Sequence, residues 1–234
     1  MRVISLGWGV QSFTLAAMAA LGDIEPVSAA VHADTTHERS VTYAFAAKWT
    51  PWLEARGVRV VTVQQPDAEP VNRFGGMMLP GYTVTPKGDG QLSRQCTQNW
   101  KRAPIRRWLQ AHRNGQPVEM LLGISLDEWH RAKDSDVKYI THVWPLLDMK
   151  LSRSDCVAIN EAAGFRDVAK SACIGCPFHG NAQWRKIRDE SPHEWADAVA
   201  FDHAIRAGSA RANAIGSPLL GQAYPEVLQL PLGQ

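Results

Sequence analysis

The chain has 234 residues, 45% of them hydrophobic and 21% charged, with a net charge of +2. That composition fits one sizeable globular α/β domain with a small appendage. It excludes a membrane-spanning helix, since there is no run of about 18 apolar residues, and a charge so small argues neither for nor against nucleic acid, for which only a clustered patch would count.

The first residues read as a folded strand and not as a leader peptide, so a cytoplasmic location is expected. Residues 2–6 form that strand. The stretch Ser5-Leu6-Gly7-Trp8-Gly9-Val10-Gln11-Ser12 then turns into a helix over 11–21 that closes at Gly22. Glycines let a backbone turn tightly and approach a ligand, and the first turn of a helix offers unpaired N–H groups with positive dipole character. Together they suit a phosphate, although many α/β proteins use glycine at this corner for packing alone.

A second strand is predicted over 27–33 and a helix over 39–56, ending at Gly57 and kinked or split by Pro51. A third strand follows over 58–64. The Gly- and Pro-rich stretch 65–95 is too long for a simple connection and reads as an irregular lid or binding loop. Residues 103–113 read as a helix opening with Pro104, and VEMLLGIS over 118–125 reads as a buried parallel strand. Strands alternating with helices imply right-handed crossovers and a parallel sheet, with ligands at the C-terminal strand ends. Three polar loops follow the predicted strands there, at Gly7–Ser12, Asp34–Glu38 and Ser125–Glu128. Each contains an ordinary helix cap, but three on one sheet edge are better explained by a site.

Beyond about residue 150 the pattern becomes helical. Ser152 caps a helix to 163 closed by Gly164, and Ser191-Pro192 opens another. The tail after Ala207 reads as irregular. The expected organisation is therefore an α/β domain over 1–150 with a helical extension over 151–234.

Four cysteines in a reducing compartment point to metal or redox chemistry before disulfides. Cys173-x-x-Cys176 allows two sulfurs to meet one metal centre, and the motif alone leaves zinc, iron–sulfur and a redox dithiol open. Cys96 and Cys156 could complete a four-thiolate set, at separations that fit no standard zinc ribbon, or each could be a small buried hydrophobe. Both follow an arginine, Arg94 or Arg153, which favours a thiolate. Cys156 also reads as a small buried hydrophobe, beside Val157 and Ile159 on its helix. The nine tryptophans read mostly as packing, with room for a homodimer interface.

Four stretches carry a resemblance that spans most of the chain. Gly7–Ser12 resembles the pyrophosphate loop of the PP-loop ATP pyrophosphatase superfamily, usually Ser-Gly-Gly-x-Asp-Ser. ADTTHE over 33–38 looks like the superfamily's Asp-Thr-Gly segment. RQCTQNWKRAPI, around Cys96 and Lys101, is similar to the Arg-x-Cys-Cys/Thr-x-x-x-Lys-x-x-Pro segment of sulfonucleotide (PAPS) reductases and DNA phosphorothioation proteins. Cys173-Ile174-Gly175-Cys176 lies at a similar spacing from Cys96 as in the reductases. With GISLDEWHR (123–131), these look like a PAPS-reductase-like branch of phage and bacterial proteins of unassigned role, grouped with adenine nucleotide alpha hydrolases.

The resemblance implies a Rossmann-like, HUP-type parallel sheet flanked by helices, with a cysteine-bearing C-terminal extension. It implies ATP and magnesium (Mg2+) held by Ser5, Gly7, Gly9, Gln11, Ser12, Asp34, Gly123 and Ser125. Lys101, Asp127 and Arg131 would be catalytic, with Asp127 and Arg131 sharing a face if their loop is a short helix, and Arg102, His37 and His179 would assist. An iron–sulfur cluster, 4Fe–4S, would hang on Cys96, Cys156, Cys173 and Cys176, or on three of them with one iron open. The implied reaction is adenylation of a nucleic-acid or nucleotide acceptor with release of pyrophosphate, followed by sulfur transfer. Two departures matter: Gln11 replaces the loop's aspartate, and no cysteine follows Cys176 to serve as the reductases' mobile nucleophile. A sulfonucleotide reductase, a non-catalytic nucleotide-binding protein with a structural cluster, and a zinc centre are the rival expectations.

Overall fold

The computed structural model describes residues 1–66, 68–69, 78–85, 88–91, 94–168 and 170–205. The tail beyond Ala207 lies outside them. In chain order the elements are β1 (Arg2–Ser5), α1 (Val10–Leu21), β2 (Ala29–Asp34), α2 (Ser40–Glu54), β3 (Val60–Gln64), β4 (Tyr82–Thr85), β5 (Gly88–Gln91), a π-helical segment (Thr97–Arg102), α3 (Ala103–His112), β6 (Val118–Leu121), a 3₁₀ segment (Leu126–Arg131), β7 (Ile140–Val143), α4 (Pro145–Asp148), α5 (Arg153–Ala162), α6 (Asn181–Glu190) and α7 (Pro192–Ile205).

These elements form two compact units. The first comprises Met1–Asp34, Ser40–Val63 and Pro104–Ser171; the second comprises Thr35–Arg39, Gln64–Ala103 and Ala172–Gln234. The expected division at 150 falls inside the first unit, which runs on through α5.

The first unit is α/β, with a five-stranded parallel sheet in the order β3-β2-β1-β6-β7. Its inner strands β1, β2 and β6 are largely buried, and alternate residues feed opposite layers, as a period of two requires. Ile4, Ala30 and Leu121 join α1, α2 and α4 in one apolar cluster. Val3, Ala29, Val31, Val118 and Met120 join Ile105 and Leu109 of α3 in the other. The sheet is thus a Rossmann-like layer covered by helices on both sides.

Local signals explain the elements. Gly22 ends α1 at φ +84°, a left-handed conformation that only glycine adopts without strain. A capping box at Ser152 and Asp155 starts α5, and Gly164, at φ +88°, follows its end. Pro51 does not split α2, because it lies in the last turn and removes just one N–H there. The expected strand at 118–125 stops at Leu121; Leu122 still donates its N–H to the Val143 carbonyl at 3.0 Å, and the chain then leaves the sheet. The stretch 65–95 is not wholly irregular, since β4 and β5 pair antiparallel within it.

The larger apolar cluster centres on Phe165, whose ring meets Phe13, Trp49 and Trp52 edge-on, with centroids 5.0, 4.7 and 4.9 Å away. In the second unit, Ala68, Met78, Leu79, Trp100 and Phe201 form one small core, and Trp184, Ile187 and Ala198 of α6 and α7 another. A buried ion pair, Arg39 to Glu194 at 2.9 Å, adds to it. Among the described residues, no helix is long and apolar enough to cross a membrane.

Phe165→Ala should cost about 3–5 kcal/mol of stability, read as a fall in thermal midpoint on the order of 10 °C. An unchanged midpoint would show that the aromatic cluster does not hold α1 and α2 together.

Candidate functional site

In the first unit the strand order reverses between β1 and β6, with β2 beyond one and β7 beyond the other. Open parallel sheets bind ligands at such a switch point, outside the carboxyl ends of the strands. The loop after β1 (Leu6–Gly9) and the loop after β6 (Leu122–Ser125) therefore flank the predicted crevice.

They approach closely. A Cβ on Gly123 would lie 2.7 Å from the Ser12 backbone nitrogen and 2.9 Å from the Gln11 carbonyl carbon. Only a residue without a side chain lets the two backbones pass. On the other side of the corner, a Cβ on Gly9 would come within 3.4 Å of Ser171.

Within the corner, the Gly7 N–H donates to Ser12 Oγ at 3.0 Å, and the Ser12 hydroxyl donates to the Gly9 carbonyl at 3.2 Å. Gly9 is the N-cap of α1; no side chain caps that end and no acidic residue occupies its first turn. The positive end of the α1 dipole is thus left without a side-chain anion of its own. Trp8 adopts φ +58°, a conformation that costs a bulky residue on the order of 1–2 kcal/mol. Its indole is 2% exposed and packs on Phe13, His32 and Phe45. This buried ring holds the loop's shape.

Gln11 anchors a polar network. Its Nε2 donates to Ser125 Oγ at 3.3 Å and to Glu128 Oε2 at 3.1 Å, while its Oε1 accepts from Arg153 at 2.7 Å. Ser125 donates to Asp127 at 3.2 Å, and Asp127 accepts the Arg153 backbone N–H at 2.8 Å. That backbone bond, outweighing a burial effect of opposite sign, holds Asp127 below the usual carboxylate range. Arg131 pairs with Glu128 at 2.6 Å and does not share a face with Asp127. The segment is a 3₁₀ helix with three residues per turn, so neighbours on its surface are three apart, not four.

The structure thus brings Gln11, Ser125, Asp127 and Arg131 into one network. Ser5 ends β1, and Asp34 ends β2 with its Oδ1 accepting from the Tyr43 hydroxyl at 2.7 Å. Arg153 was singled out in the sequence only as a cation near Cys156; its position as the first residue of a capped helix gave no hint that the guanidinium reaches Gln11.

The second unit holds Cys96, Cys173 and Cys176 together with Lys101. The Cys176 N–H donates to the Cys173 carbonyl at 3.1 Å, closing the tight knuckle the motif predicts. Gly175 within it faces Phe201, whose ring a Cβ would meet at 2.7 Å. Cys173 pairs its backbone with Glu38, and its sulfur lies 3.2 Å from Thr35 Oγ1 and 3.6 Å from Glu38 Oε1. Glu38 was quoted in the sequence motif without a role; it is 2% exposed and accepts from Lys101 at 3.1 Å.

Burial first and the Glu38 carboxylate next push the Cys173 thiol up to about 12. Burial also raises Cys96, against Thr97, Lys101 and Arg94. Burial opposes the charge on Lys101, but Glu38, Cys173 and Cys176 outweigh it and hold the ammonium above its ordinary range. One cation therefore acts on all three thiols. His37 and His179 are engaged through ring nitrogens by the carbonyls of Ala68 and Cys173.

Cys156 belongs to the first unit. It is fully buried in the apolar cluster there, and burial raises its thiol. Those surroundings match the small-hydrophobe reading of this residue. The donor chemistry of Cys96, Cys173 and Cys176 beside a lysine suits a thiolate-held centre, while no group of three or more His, Cys, Asp or Glu residues among the described ones is drawn into metal-binding geometry. No protein-family model matches the chain, and no curated protein matches it.

Gly123→Ala should destabilise the protein by about 1–3 kcal/mol, because both neighbours of the new methyl are backbone; denaturant unfolding measures this, and a neutral result would deny the close approach. In reduced, metal-free protein, iodoacetamide at pH 8 should label Cys173 far more slowly than Cys96, since the thiol stays protonated until the pH nears its raised value. Glu38→Gln removes the adjacent negative charge and should accelerate that labelling; mass spectrometry reads both rates.

Proposed function

We propose that the protein is an ATP-binding enzyme of the PP-loop kind, built on a HUP-type sheet with a cysteine-bearing C-terminal extension. It adenylates a nucleobase or nucleotide acceptor, releases pyrophosphate and transfers sulfur with the help of an iron–sulfur cluster. The observation that carries the nucleotide half is the corner at the sheet's switch point, where an α1 N-terminus without a side-chain cap is approached by Gly123 at backbone distance.

In this reading the amides of Gly7–Ser12 hold the phosphates, and Asp34, at the adjacent strand end, takes ribose or magnesium. Acceptor oxygen attacks the α-phosphorus, the bond to the bridging oxygen breaks, and pyrophosphate leaves carrying that oxygen. Asp127 and Arg131 order the loop beside the phosphates. Cys96, Cys173 and Cys176 would hold the cluster, and Lys101 would offset its negative charge. When bound, such a cluster supplies sulfur for the activated carbon.

A second reading, a nucleotide-binding protein without catalysis, is favoured by Gln11. A neutral amide bound at both ends by Ser125, Glu128 and Arg153 cannot ligate magnesium as an aspartate would.

Anaerobic purification with iron, sulfide and nucleotide analysis of one sample tests both halves. Brown protein absorbing near 400 nm, with adenine nucleotide bound and acceptor-dependent pyrophosphate release, is the expected result. Tight ATP binding without pyrophosphate release would favour the second reading, and a colourless zinc-loaded protein would remove the cluster. Cys173→Ser should remain folded and bind ATP while losing sulfur transfer; loss of soluble protein would assign the cysteines a structural role.

A further inference from the structure

We propose that Arg153 is a direct ligand of a phosphate chain at the α1 corner, aimed but not neutralised by Gln11. This rests on the nucleotide-binding reading and adds to it a residue and a charge.

Arg153 is the first residue of α5, where the helix dipole favours an anion over a cation. The helix has its own start signal in the Ser152–Asp155 capping box, so it does not need the guanidinium. That group reaches across to α1 and donates to Gln11 Oε1 at 2.7 Å. The opposite end of the same amide donates to Ser125 and Glu128. Turning the amide over would set its oxygen against the Glu128 carboxylate and its NH₂ against the guanidinium, so Oε1 must face Arg153.

Three carboxylates lie near, and none of them forms a salt bridge with the guanidinium: Asp155 is held by Ser152 in the capping box. Glu128 is shared by Arg131 and Gln11. Asp127 spends its oxygens on the Arg153 main-chain N–H and on Ser125, and the Arg153 charge is the smallest of the effects that lower its pKa. Among the described residues, the guanidinium makes its hydrogen bond to the Gln11 amide and has no ion pair with a carboxylate. It is partly buried, which raises the cost of a charge left without an anion.

A planar guanidinium with five donors, one of them already committed to orientation, matches a phosphate at two points. The helix it reaches has neither a side-chain cap nor an acidic residue in its first turn. The glutamine has a physical meaning here. A carboxylate at position 11 would pair with Arg153 and cancel the charge, whereas a neutral amide fixes its direction and leaves the charge to the ligand.

Binding of ATP, inorganic pyrophosphate and adenosine to the full chain, measured by isothermal titration calorimetry, tests this with Arg153→Gln and Arg153→Lys. Arg153→Gln should weaken ATP and pyrophosphate by about tenfold to a hundredfold. It should leave adenosine binding and the thermal midpoint unchanged. Arg153→Lys, keeping charge without the fork, should fall between. Unaltered ATP affinity in Arg153→Gln overturns the proposal, as does an equal loss of adenosine or a failure of that variant to fold, either of which makes Arg153 structural. Pyrophosphate bound in an Arg153-dependent way by a wild type that ignores ATP keeps the proposal and overturns the nucleotide reading. A wild type that binds neither overturns both.

Discussion

The first unit depends on one close approach. The chain leaving β6 crosses the start of α1 at a distance that admits no Cβ, and Gly123 makes this possible. Were it wider, the Gln11 amide could not reach Ser125 and Glu128 from α1, and the 3₁₀ segment would lose its tie to the start of that helix. The parallel order of the sheet sets the same requirement from below. Placing β6 next to β1 forces their following loops to share the space above the switch point. A glycine at the contact is the cheapest solution.

Much of this was legible in the sequence because it was written in strong local signals. The apolar run after the first methionine, the glycines around Trp8 and the closure at Gly22 specify a strand, a tight corner and a helix with little ambiguity. Elements with weak signals escaped. β7 is four residues with a polar pair at its centre, Thr141 and His142, and has no long apolar run. β5 contains two glycines, which propensity argues against in a strand. α6 begins after Gly180, with no serine, threonine or aspartate to announce it. The contacts that matter most were less visible still. Arg153 and Gln11, or Glu38 and Cys173, are far apart in the chain, and no spacing rule links them.

The second unit shows how a buried carboxylate and the lysine it holds can act on neighbouring thiols. Glu38 is buried and backbone-paired to Cys173, and it pulls the Lys101 ammonium inward. Burial most of all, and then the carboxylate, raises the energy of a Cys173 thiolate, and the lysine lowers it. Burial and the carboxylate keep Cys173 protonated although the lysine opposes them. Any species that draws the lysine closer to sulfur, or displaces the carboxylate, lowers the cost of the thiolate, with the burial effect still opposing it. Thr35, within reach of both the sulfur and the carboxylate, can hydrogen-bond to either in both states.

Trp8 has a consequence for kinetics. Its backbone is held in a left-handed conformation by an indole wedged among Phe13, His32 and Phe45. The corner therefore cannot relax unless the hydrophobic interior opens with it. A ligand at that corner, if the proposed site is one, would meet amides already oriented, with little chain entropy left to lose on association. Capture should then be governed by diffusion and desolvation rather than by a slow rearrangement of the loop.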